Sequence, residues 1–119
     1  MFDFKGKNVY LSGRITGRDR AEVEQEFKNA AEYVVCLGAN YVFNPTAEIV
    51  PTCGHELAMR FCLRQLCRSK VLVNGQADPY FDVILMLPKW EYSPGACLEA
   101  SVARAVGIEI VKFTLPEVD

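Results

Sequence analysis

The stretch Asp82-Val83-Ile84-Leu85-Met86-Leu87-Pro88-Lys89-Trp90-Glu91-Tyr92-Ser93-Pro94-Gly95-Ala96-Cys97-Leu98-Glu99 decides how the chain folds. Five consecutive apolar residues, Val83 to Leu87, read as a strand buried on both faces, as strands of parallel sheets are. Pro88 stops the strand, a loop with two aromatics follows, and Ser93-Pro94-Gly95 restarts the chain as a helix running to about Val106. Ala96, Ala100, Ala103 and Val106 form its inward side. Glu99 falls within the first turns of this helix. Parallel α/β proteins place ligands where the carboxyl end of a strand meets the following helix, so Glu99 is the first candidate for a reactive carboxylate. The alternative reading is a helix acid stabilised by the dipole.

Working outward, the amino-terminal half repeats the pattern. Asn8-Val9-Tyr10-Leu11 is a short strand ending in Ser12-Gly13-Arg14-Ile15-Thr16-Gly17-Arg18-Asp19. Two glycines four apart, with Arg14 and Thr16 between them and Ser12 and Arg18 on either side, suit a loop that holds an anion on backbone N–H groups; a plain strand-to-helix turn is the equal alternative. A helix follows from Arg20 to about Leu37. Val23, Phe27, Ala30, Ala31 and Val34 give it one apolar stripe, and Gly38 supplies its left-handed stop. Tyr41-Val42-Phe43 is a second strand, closed by Asn44-Pro45. Asn44 stands at a strand's carboxyl end, either as a turn residue or within reach of a ligand. Thr46 to Gly54 reads as a loop.

A second helix runs from His55 to about Ser69, with Leu57, Ala58, Phe61 and Leu66 as its expected core side. Arg60, Arg64 and Arg68 make a basic ridge, read first as solvated and second as a contact for an anion or another subunit. His55 reads as a capping or surface histidine. Lys70 to Phe81 is an excursion in which Val71-Leu72-Val73 suggests a strand and Asn74-Gly75 a hairpin turn. After the Asp82–Glu99 stretch, Gly107 ends the helix, Ile108 to Phe113 forms the last strand, and Thr114 to Asp119 is a polar, frayed tail.

The order is β-α-β-α, an excursion, then β-α-β. Right-handed crossovers wind such a chain into a flavodoxin- or Rossmann-like three-layer sandwich, with a parallel sheet of order 2-1-3-4 and helices on both faces. Strands one and three are then neighbours at the switch point. The Ser12–Gly17 loop and the Pro88–Pro94 loop meet there.

The totals restrict the function. A chain of 119 residues fits a single domain, residues 1–119, with its own core. A net charge of -2 gives no electrostatic case for a nucleic-acid polymer or a membrane surface as partner. Five scattered cysteines without a Cys-x-x-Cys pair, and a single histidine, exclude a zinc site of the usual spacing and suggest reduced thiols; no metal or other cofactor is expected. The amino terminus lacks a signal-peptide apolar region, and no apolar run approaches the roughly 20 residues of a membrane helix. A soluble, cytoplasmic protein is expected.

Three segments together resemble the nucleoside 2-deoxyribosyltransferase superfamily: Val9-Tyr10-Leu11-Ser12-Gly13-Arg14-Ile15-Thr16-Gly17, Phe43-Asn44-Pro45, and Leu87 to Glu99 with its Trp-x-x-Ser-x-Gly-Ala-x-x-Glu pattern. The chain is most similar to the small deoxyribosyltransferase-like proteins of phages and prophages, which mostly lack an assigned activity. The resemblance implies attack by Glu99 on the anomeric carbon of a deoxyribosyl group, with release of the base to water or exchange for a second base. It implies that Tyr10 orients Glu99 and that Asp82 supports the site. Gly13 and Gly17 would let the first loop close over the ligand, Ser93 would hold a 5′-phosphate, and Trp90 would stack on a base or close the core. The substrate-binding set is then Ser12, Gly13, Arg14, Gly17, Asn44, Trp90, Ser93 and Gly95. Relatives complete the crevice from a neighbouring subunit, which implies a homo-oligomer.

Two positions depart from the pattern. Active relatives carry an aspartate in the middle helix that assists the leaving base, and that position falls near Cys62. The related deoxynucleoside-monophosphate N-hydrolases carry an arginine where Thr16 stands, with Arg14 two residues away. A nucleotide-binding module without catalysis is therefore the second reading. A flavodoxin-like regulatory domain is the third, and Ser12-Gly13-Arg14 lacks the acids it would need.

Overall fold

Every residue of the strand Asn8–Ser12 (β1) is buried, and so is every residue of Val83–Met86 (β5). Strands apolar on both faces belong in the middle of a sheet. The computed structural model, which describes residues 2–71 and 74–114, places them side by side. They pair in parallel from Val9 with Val83 to Ser12 with Met86. Tyr41–Phe43 (β2) flanks β1, and Glu109–Lys112 (β6) flanks β5, both in parallel. The resulting sheet has the order β2-β1-β5-β6, the expected 2-1-3-4 order once the excursion is set aside.

The two-residue period of the strands sorts their side chains into two cores. Val9, Leu11, Val83 and Leu85 face the helix Arg20–Cys36 (α1), whose Val23, Phe27, Ala30 and Val34 are fully buried against them. Tyr10, Ile84 and Met86 face the other way, toward the helices His55–Leu66 (α3) and Pro94–Ala105 (α4). The three layers are thus α1, sheet, and α3 with α4. Asp19 caps α1 by accepting from the Glu22 N–H, and Gly38, at φ +95°, allows the turn that ends it.

The excursion is a two-stranded antiparallel hairpin of Ser69–Val71 (β3) and Ala77–Pro79 (β4), with Gly75 at φ +84° in its turn. Of the expected Val71–Val73 strand, Val71 lies in β3, and Leu72 and Val73 lie outside the described residues, as do residues 115–119 of the tail.

Three local readings change. Pro45–Glu48 is a short helix (α2) inside the segment expected to be loop; Asn44 caps it, its Oδ1 accepting from the Thr46 N–H and hydroxyl. The core side of α3 is Cys62 and Leu66, whereas Leu57 is 61% and Phe61 37% exposed. Two apolar stripes run along this helix, and its packing against α4 and the sheet selects the one carrying Cys62. Val106 lies past the last turn of α4 and is 41% exposed, so the inward side is Ala96, Glu99, Ala100 and Ala103.

Candidate functional site

The inward stripe of α4 is three alanines and one acid. Small side chains let the helix approach the sheet closely, and that approach brings Glu99 down onto β1. Tyr10 and Ser12, two apart on β1, point to the same face and meet it there. The Tyr10 hydroxyl donates to Glu99 Oε2, and Ser12 Oγ donates to Glu99 Oε1 at 3.1 Å. The Cys62 carbonyl lies 3.3 Å from the same Tyr10 hydroxyl. Glu99 is only 7% exposed.

Burial pushes the Glu99 carboxyl up to about 7, against the two hydrogen bonds, which favour its ionised form. A helix amino terminus favours the ionised form of a nearby acid. That advantage does not govern, because Glu99 is the sixth residue of α4, past the first turn, and burial outweighs it. Burial and the nearby Glu99 carboxylate hold the Tyr10 hydroxyl far above its ordinary range, so it remains a proton donor. Burial and Glu99 also push the Cys62 thiol up to about 11, which keeps it neutral.

Above this group opens a cavity of about 420 Å³ at the carboxyl end of β1. Ser12, Gly13, Cys62 and Glu99 belong to its lining, together with Ile15, Thr16, Gly17 and Arg18 of the β1–α1 loop. A second wall is Ile49, Val50 and Pro51; a third is Cys53, His55, Ala58 and Met59 at the start of α3. Ser93, Gly95 and Ala96 bring in the amino end of α4. Among the described residues lining it, Glu99 is the one carboxylate. A largely preformed apolar cleft with a few convergent polar groups is how small-molecule sites are built. Among the described residues, no group of three His, Cys, Asp or Glu side chains could hold a metal ion.

Of the residues expected at the site, Glu99, Ser12, Gly13, Gly17, Ser93 and Gly95 line this cavity, with Tyr10 beneath. Gly13 is a close-approach position: a Cβ there would lie 3.0 Å from Leu87 Cβ and 3.2 Å from Phe27 Cζ. Gly17 sits at φ +81°, which favours glycine. Gly95 leaves room for Met59, whose sulfur would be 3.2 Å from a Cβ. The Ser93 Oγ accepts from the Ala96 N–H and so caps α4 at the cavity rim.

Four expected residues lie elsewhere. Asp82 stands at the amino end of β5, about 13 Å along the strand from the level of Ser12. Its carboxylate accepts from the Asn8 N–H at 2.8 Å and so anchors the start of β1. Asn44 is occupied in capping α2. Trp90 packs at the edge of the core shared by α3 and α4, which is its core-closing reading. Arg14 offers its carbonyl to Arg18 and does not line the cavity. Cys62 lines the same cavity as Glu99 and lies close enough to feel its charge.

Sequence reasoning missed Arg18, Arg20, Met59 and His55 as cavity residues. His55 had a weak signal, as the sole imidazole at a helix start. Arg18 closes the glycine loop read as a possible anion site, whereas Arg20 had no signal, because the carbonyls it reaches lie in another segment.

Nor is any helix of the described residues long and apolar enough to cross a membrane. A family described as a domain of unknown function (DUF4406) matches residues 7–112, and the chain belongs to that family. No curated protein and no solved structure matches the chain.

Proposed function

We propose that this protein cleaves or transfers the N-glycosidic bond of a deoxynucleoside or its 5′-monophosphate, with Glu99 as nucleophile. The observation that carries the reading is the buried Glu99 carboxylate, oriented by Tyr10 and Ser12 at the floor of a cavity of mononucleotide size. The resemblance of the Val9–Gly17, Phe43–Pro45 and Leu87–Glu99 segments to deoxyribosyltransferases supports it.

In this scheme a Glu99 oxygen forms a bond to C1′ as the bond from C1′ to the base nitrogen breaks. The base leaves with that bond's electron pair and takes a proton from solvent. Water or a second base then attacks C1′ and gives up a proton to solvent, the ester bond to Glu99 breaks, and the carboxylate is restored. Tyr10 and Ser12 fix the oxygens before attack and stabilise the carboxylate as leaving group afterwards. Ser93, at the cap of α4, stands where a 5′-phosphate would be held. The apolar wall of Ile49, Val50 and Pro51 suits the flat face of a base.

One observation favours a second reading, a nucleotide-binding module without catalysis. The residue beside Glu99 is the thiol of Cys62, which burial pushes up to about 11, a far weaker acid for the departing base than a carboxyl group. His55 at the mouth is the cavity's imidazole, a group able to donate a proton. Incubation with each of the four deoxynucleosides and their monophosphates, followed by chromatography for free base, separates the readings. Base release lost in Glu99→Ala is the expected result. Binding without release establishes the module, and release that survives Glu99→Ala refutes the nucleophile.

The proposal includes a homo-oligomer in the cytoplasm. The exposed Leu57 and Phe61 on α3, beside the cavity, are apolar surface suited to a second copy, and the cysteines of the chain are unpaired. Size-exclusion chromatography with light scattering tests the assembly.

A further inference from the structure

Arg20 opens α1, yet its side chain serves a distant segment. Its Nη2 donates to the carbonyls of Thr46 at 3.1 Å and Ile49 at 2.8 Å, while Nε donates to Glu24 Oε1 at 3.0 Å. The two carbonyls bracket the end of α2, a four-residue helix whose C-cap is Ile49. A helix this short leaves most of its carbonyls without partners of their own, and it is marginal without outside support. The next residues, Val50 and Pro51, continue the cavity wall. Within the chain, α2 is followed by six residues, 49 to 54, before α3 begins.

We infer that Arg20 is a positioning residue: its guanidinium ties the Thr46–Ile49 segment to α1 and so sets where the apolar wall of the cavity stands. The planar fork reaches two carbonyls and a carboxylate at once, which a lysine ammonium cannot reproduce in the same geometry. Arg20 also borders the cavity, so a direct contact with a ligand phosphate is the competing role. The ligand-binding part of the inference rests on the nucleotide reading above; the tether itself does not.

Hydrogen exchange of the free protein tests the tether. The amides of Ala47, Glu48 and Ile49 donate to Asn44 and Pro45 carbonyls inside α2 and report its opening. Loss of hydrogen bonds from a charged donor predicts exchange faster by roughly tenfold to a hundredfold in Arg20→Gln, with Arg20→Lys between it and wild type. The amides of Leu11 and Ile84 in the central sheet should be unchanged. Exchange at Ala47, Glu48 and Ile49 as slow as in wild type overturns the tether, and so does an equal loss at Leu11 and Ile84. If Arg20→Gln fails to fold, Arg20→Lys alone carries the same comparison. Calorimetry with deoxyadenosine and with its 5′-monophosphate then tests positioning. A displaced wall weakens both ligands by a similar factor; a loss confined to the monophosphate overturns positioning in favour of phosphate contact. A wild-type protein that binds neither ligand counts against the nucleotide reading of the cavity, and the tether is then judged by exchange.

Discussion

Glu99→Gln should change the pH dependence of folding more than it changes folding itself. The carboxyl is pushed from an ordinary 4.5 up to about 7 because burial disfavours its charge. The folded state therefore holds the proton more tightly than the unfolded chain. Stability from this group is fully present below about pH 4.5 and is lost as pH rises through about 7. Each tenfold change in proton affinity is worth about 1.4 kcal/mol, so wild type should lose about 2–3 kcal/mol between pH 5 and pH 8 through Glu99 alone. Glutamine has nearly the same shape and no charge to bury, so the variant should not show that loss. Every other titrating group is common to both proteins and cancels in the comparison. The assay is urea unfolding of both proteins at pH 5, 6, 7 and 8, followed by fluorescence of Trp90, the single tryptophan. The expected result is a stability difference that grows with pH in favour of glutamine. Parallel pH curves would refute a buried, desolvated Glu99, and a difference of opposite sign would refute the direction of its proton affinity.

Tyr10→Phe removes the donor that favours the ionised carboxylate, so Glu99 should titrate above 7, read by the same urea series or, if base is released, by an activity profile whose rise with pH moves upward. The expected cost in stability is about 1–3 kcal/mol, since the Glu99 oxygen loses a buried partner. Gly13→Ala places a Cβ against Leu87 and Phe27 and should destabilise by about 1–3 kcal/mol through overpacking, measured as a lower urea midpoint with an unchanged slope. Ser93→Ala removes the cap of α4 and should cost about 1 kcal/mol. If Ser93 also holds phosphate, the variant should bind deoxynucleoside monophosphates more weakly while binding nucleosides unchanged, as read by calorimetry.

The fold was legible because its signals are local. Five apolar residues in a row at Val83–Leu87 and a single stripe on α1 each permit one way of burying the element. Most of the floor of the site was legible for a related reason: Tyr10 and Ser12 share a strand face by period, and Glu99 follows a helix start marked by Ser93 and Pro94. Where the sequence misled, two local solutions were equally good. On α3 the stripe of Leu57 and Phe61 is as apolar as the stripe of Cys62 and Leu66, and only contact with α4 and the sheet separates them. Asp82 has the chemistry of a catalytic acid, but its place at the amino end of β5 gives it to the Asn8 N–H.

By itself, the sequence determined the order of the four sheet strands and the three long helices, the central pair of strands, and the carboxylate at the floor of the cavity. These follow from side-chain period and backbone chemistry within about a dozen residues. The tertiary structure decided the protonation balance of Glu99, because desolvation depends on what covers it: Tyr10 and Ser12 of β1 and α3 with Cys62. It decided too that Arg18 and Arg20 belong to the cavity, and that Arg20 reaches carbonyls 26 and 29 residues away. Such contacts carry no periodic signal, since nothing in the local chain distinguishes a solvated arginine from one that ties two segments together.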